Sequence, residues 1–207
     1  ERLSDEGGSV SSATRLQGFF LTGLVEFGAR ELGEAAVERA LREASPALRL
    51  PLDPTRACDP EIFHELARRL AGAAGVPIDA WLRRFGAALF AQLAVLHAVF
   101  FIGVGTAFDF LASFERNVHD EVRALDAGLA PPRMRAERLG PERLRVTYES
   151  DRDLAALAHG MLEGCLAHFG EPAVVRAEAA RDGAVCFLIE RVAAAPAAGG
   201  VQSGRAA

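Results

Sequence analysis

The stretch Arg143-Leu-Arg-Val-Thr-Tyr-Glu-Ser-Asp-Arg152 decides how this 207-residue chain is read. Leu144, Val146 and Tyr148 alternate with Arg143, Arg145, Thr147 and Glu149, which is the two-residue period of a half-buried strand. Residues two apart on a strand point to the same side, so Tyr148, Ser150 and Arg152 bring a phenol, a hydroxyl and a guanidinium together. That trio makes a cradle for a carboxylate, with Arg152 giving charge-assisted hydrogen bonds and the two hydroxyls completing the coordination. The same spacing also suits a strand end whose tyrosine packs and whose arginine is solvated, and the stretch alone leaves both readings open.

Outward from this strand the period changes on either side. Upstream, Phe20, Leu24, Ala29, Leu32, Val37 and Leu41 recur at helical intervals from Leu16 to about Ala44, with Gly33 dividing two helices. Pro46, Pro51, Pro54 and Pro60 mark a loop, and Asp59-Pro60 restarts the chain as an N-cap followed by an N1 proline. Helices are expected over Pro60 to Ala74, Ile78 to Leu96 and Thr106 to Leu125. Downstream, Leu154, Leu157, Met161, Leu162, Cys165 and Leu166 form the stripe of a helix from Asp153 to Phe169. Strands at Ala173 to Ala180 and Val185 to Val192 then flank the hairpin turn Arg181-Asp182-Gly183. The pattern predicts an α+β fold: a helical N-terminal part packed on a C-terminal part with a small antiparallel sheet and an inserted helix. Residues 16–192 are expected to form one domain, with a disordered lead-in at 1–15 that lacks the pattern of a secretory signal and a flexible Ala/Gly tail at 193–207.

Composition narrows the function. A net charge of −5 with no basic run argues against a nucleic-acid partner. The run from Phe85 to Phe108 carries no charge and is long enough to cross a bilayer. Gln92, His97, Gly103 and Gly105 interrupt it, so a buried helix pair is expected and no membrane span. Cys58, Cys165 and Cys186 show no CxxC pair or disulfide framework, which fits a reducing, cytoplasmic setting, and Cys165 and Cys186 read as core residues. No nucleophile elbow or phosphate loop is present; Gly103-Val-Gly105 lacks a preceding strand, and no enzyme is expected. His119 lies beside the apolar stripe Leu111, Phe114, Val118, Val122 and Leu125, where it is either a metal ligand or a packed ring. His64, His97, His159 and His168 lack zinc-site spacing.

Taken together, these residues resemble the H-NOX family of haem-based nitric oxide and oxygen sensors over about Leu16 to Val192. The family's YxSxR motif reads Tyr148, Ser150 and Arg152, its proximal histidine 29 residues earlier falls on His119, and Pro131-Pro132 follows that histidine. Leu16-Gln17-Gly18 and Glu31-Leu32-Gly33 agree more loosely, and the smooth apolar run Ala91 to Gly105 departs from the pattern. The resemblance implies haem b, with His119 on iron, Tyr148, Ser150 and Arg152 on the propionates and Pro132 against the macrocycle. Haem suits such a set, being a flat apolar disc with two carboxylates that needs a slot, an axial imidazole and a polar grip. Phe20 and Leu24 fall in the distal pocket with Leu89, Leu93 and Met161 as neighbours, and Leu157 stands where oxygen-binding members carry a tyrosine. The expectation is a sensor of NO and CO without stable O₂ binding. It signals through the His119 helix to a histidine kinase, a cyclic-dinucleotide enzyme or another signalling protein. The alternative is a haem-free module of the same fold whose apolar cavity takes another hydrophobic ligand or serves protein interaction.

Overall fold

Helix α1 (Gly18–Leu32) and α2 (Glu34–Ala44) are separated by Gly33 at φ 85°, a left-handed conformation that glycine adopts without strain. This is a computed structural model that describes residues 18–45, 50–56, 58–119, 131–179 and 184–192. The expected lead-in, the tail, Leu16-Gln17, the end of the His119 helix and the Arg181–Gly183 turn lie outside the described residues. Helix α3 (Pro60–Ala74) starts as its sequence dictates: Asp59 accepts from the Glu61 N–H at 2.9 Å, Pro60 sits in the first turn, and Gly75 closes it at φ 69°. Helix α4 (Ile78–Leu96) follows, then a short 3₁₀ turn (Ala98–Phe101). Helix α5 (Ala107–Phe114) is capped by Thr106, whose hydroxyl accepts from the Asp109 N–H at 3.0 Å.

The second half is a four-stranded antiparallel sheet, β1 (Arg133–Gly140), β2 (Arg143–Glu149), β3 (Ala173–Ala179) and β4 (Val185–Arg191), in the order β1-β2-β4-β3. Helix α6 (Ala155–His168) is inserted between β2 and β3. Tyr148 pairs with Met134 on one side and Val185 on the other, which fixes the motif strand in the sheet interior. The start of α5 is held on the sheet by Glu171, which accepts from the Ala107 N–H at 2.7 Å and pairs with Arg191 at 2.8 Å, while Arg191 lies over the Phe108 ring.

Two cores meet at α4 and α6. Leu24, Phe63, Leu70, Trp81 and Phe85 fill the helical core, and Phe108, Leu144, Leu162, Phe187 and Ile189 the sheet-side core. Burying each such side chain contributes about 1.5–3 kcal/mol. Helix α4 gives Trp81 and Phe85 to the first core and Phe90 to the second, while α6 gives Leu157 to the first and Leu162 to the second. The two helices touch backbone to backbone: a Cβ on Gly160 would lie 1.9 Å from the Arg83 carbonyl oxygen, and one on Gly86 2.2 Å from that of Leu157.

The charge-free run is not the buried pair expected from its composition. Helix α4 ends at Leu96, and Val95, Leu96, Val99 and Ile102 stand 67–79% exposed around the 3₁₀ turn, forming an apolar cap on the surface. Among the described residues no helix is long and apolar enough to cross a membrane. Strand β1 is an element that the sequence pattern did not announce. The expected Thr106–Leu125 helix is α-helical only to Phe114 and continues to His119 as a π-helical turn.

Candidate functional site

The histidine of interest sits on that turn, Glu115–His119, where five-residue spacing replaces the α period. His119 is 8% exposed, its ring meets Phe114 edge-on at 4.7 Å between centroids, and its Nδ1–H donates to Glu115 Oε2 at 2.9 Å. In the neutral ring this puts the lone pair on Nε2. The same Glu115 oxygen accepts from the backbone N–H of Met134 at 2.8 Å.

His119 forms part of the wall of a cavity between the helical half and the sheet half, about 1100 Å³ of atom-free space counted out to its open mouth. At the β2 end, Tyr148 and Arg152 reach the same cavity, and Pro131 and Pro132 line it beside Met134. Among the described lining residues, His119, Tyr148 and Arg152 are the polar ones; Phe20, Leu93, Leu157 and Met161 are among the apolar remainder.

Ser150 does not line the cavity; its hydroxyl accepts from the Arg152 N–H at 3.2 Å and bonds with Tyr148, so it braces the other two. Burial raises the Tyr148 pKa, with Ser150 and Arg152 opposing, which keeps the phenol neutral. Arg152 is 8% exposed, and its carbonyl accepts from His64 Nε2 on α3 at 2.7 Å, tying the motif loop to the helical half. Asp153 follows at φ 49°, which turns the chain sharply into α6.

The remaining expected residues divide. Leu24 is fully buried in the helical core and is not on the cavity wall. Leu89 lines an adjoining hollow that shares Phe19, Phe90, Leu93 and Met161 with the main cavity. Sequence reasoning missed Glu115, although its position four residues before His119 was a signal. It also missed Phe90 and Phe110 as lining residues.

Among the described residues no group of three or more His, Cys, Asp and Glu side chains could hold a bare cation. One imidazole at an apolar wall suits a metal that brings its own in-plane nitrogens, and a buried guanidinium beside a phenol suits that macrocycle's carboxylates. The donor set therefore fits haem, with His119 to hold the iron and Tyr148 and Arg152 to hold the propionates.

The architecture is that of an H-NOX domain. An H-NOX protein from S. oneidensis in its Fe(II)NO state superposes with a TM-score of 0.79 at 19% identity, over 86% of this chain and 100% of that one. Unliganded Fe(II) H-NOX from K. algicida gives 0.76 at 18% identity over 86% and 98%. An oxygen-binding H-NOX domain related to soluble guanylate cyclases, in its oxygen complex, gives 0.71 at 18% over 85% and 95%. A comparison with curated proteins found no match. The haem-NO-binding family model matches residues 17–177, and the chain belongs to that family, whose members sense gases at haem.

Proposed function

We propose that residues 16–192 form a haem b sensor domain for nitric oxide that also takes CO and holds no stable O₂. The observation that carries this is one apolar cavity with a buried, oriented imidazole on its wall and a phenol–guanidinium pair at its edge. Ferrous haem, when bound, would supply an iron able to take a diatomic gas. His119 would hold the iron through Nε2, Tyr148 and Arg152 would hold the propionates with Ser150 bracing them, and Pro132 would lie against the macrocycle. Phe20, Leu93, Leu157 and Met161 form an apolar wall whose side chains offer no hydrogen-bond donor. A wall without a donor would favour NO and CO over O₂, because distal hydrogen-bond donors decide whether O₂ is held. The fold is common to NO-bound and oxygen-bound relatives, so ligand choice rests on these side chains.

Signalling follows from where His119 sits. A π-helical turn is a rare break in the α period that recurs at functional sites, so a change in what holds His119 would act first on this irregular turn. A partner that prefers one arrangement reads the state of the site. A histidine kinase, a cyclic-dinucleotide enzyme or another cytoplasmic signalling protein fits the role, and the domain has no catalytic task of its own.

The test is the absorption spectrum of haem-reconstituted protein, reduced without oxygen and then exposed to NO, CO and air, beside His119→Gly. Expected are Soret shifts with NO and CO, none to an oxy form in air, and loss of five-coordinate character in the variant. A protein that keeps no haem when it is supplied overturns the reading in favour of an empty apolar cavity.

A further inference from the structure

One oxygen of Glu115 serves two donors of different kind: the His119 ring at 2.9 Å and the backbone N–H of Met134 at 2.8 Å. Met134 belongs to β1, an outer strand of the sheet. Its N–H is one of the edge groups that no neighbouring strand pairs, and Glu115 satisfies it across 19 residues of sequence. A carboxylate bonded to Nδ1–H pushes electron density into the ring and makes Nε2 a stronger donor to a metal. The reverse also holds. When Nε2 bonds a cation, the Nδ1–H becomes more acidic and its bond to the carboxylate tightens; when that bond is lost the pull on Glu115 relaxes.

We propose that Glu115 is a positioning residue that strengthens His119 as an iron ligand and passes the state of that ligation to edge strand β1 through the Met134 N–H. Nothing in the YxSxR motif or the cavity wall requires this carboxylate; it follows from the geometry of the π-helical turn, which brings Glu115, His119 and Met134 to one point. The proposal rests on the haem reading above. It assigns the outer face of β1 as the first surface to feel a ligand change, 14 residues before the motif tyrosine that β1 pairs with.

The experiment compares reduced, haem-loaded wild type with Glu115→Gln, which keeps a neutral acceptor of the same shape, and Glu115→Ala. The iron–histidine stretching band in the resonance Raman spectrum is expected to fall from wild type to Glu115→Gln to Glu115→Ala, and the reduction potential to rise in that order. Hydrogen exchange of the β1 peptide, read by mass spectrometry, supplies the second arm. The Met134 amide is expected to exchange about tenfold faster in Glu115→Ala, and NO is expected to change its rate in wild type and not in that variant. An unchanged band and potential in Glu115→Gln overturn the proposal while leaving the haem reading intact, as does exchange in wild type that ignores NO. Failure of wild type to take up haem removes both.

Discussion

Leu157 shows how much of the chemistry hangs on single side chains. It is 2% exposed and on the cavity wall, one position where a donor would alter the choice of gas. Leu157→Tyr places a phenol there, and under the proposed function an oxy complex in air is expected for the variant and none for wild type, checked by absorption spectroscopy. His159 carries a different kind of prediction. Its ring packs on Phe187, and burial, with Arg83 adding to it, lowers its pKa below 6.5 against the opposing pull of Glu163 and Val175. The folded protein then binds fewer protons at this site than the unfolded chain. This contribution does not vary at neutral pH and above. Stability falls as the pH drops through 6.5, and it levels off only below the folded-state value. Urea midpoints at pH 8 and pH 5 are expected to differ less in His159→Gln than in wild type. Strand periodicity put Tyr148, Ser150 and Arg152 on one side, but only the family resemblance paired them with His119; the structure brings His119, Tyr148 and Arg152 to one cavity wall. Sequence reasoning missed Glu115, whose spacing from His119 was a local signal but whose second bond, to the Met134 N–H of β1, is a tertiary contact that no local spacing announces.

Elements were legible where their signals were local. Asp59-Pro60, Gly33 and the stripe of α6 each announce a boundary or a face through a single physical rule, and the helices stand where those rules put them. Strand β1 escaped notice because Arg133, Arg135, Glu137 and Arg138 crowd it with charge and its inward face is only half-buried, as an outer strand allows. The run from Phe85 to Phe108 misled because lack of charge was taken as burial, whereas α4 stops at Leu96 and the next residues cap the surface. At the α4–α6 crossing, Gly160→Ala drives a methyl into the Arg83 carbonyl, and a loss of about 3 kcal/mol is expected from such overpacking, measured by urea unfolding. Gly72→Ala, whose Cβ meets nothing within 4 Å, is the matched control, with no loss expected.

At the scale of the whole molecule, the cavity is the space left where the helical core and the sheet-side core face each other. The apolar cap of Val95, Leu96, Val99 and Ile102 lies outside the main cavity wall. Replacing Val99 and Ile102 with serine is expected to leave the NO spectrum unchanged while reducing binding of a hydrophobic dye and self-association in sedimentation.

The joint between the cores has a thermodynamic consequence. Since α4 and α6 each lend side chains to both cores and touch backbone to backbone at Gly86 and Gly160, melting of one half removes packing from the other. Heating is expected to give one cooperative endotherm, with calorimetric and van't Hoff enthalpies equal. A body joined this way has one upper temperature limit, reached by both halves at once.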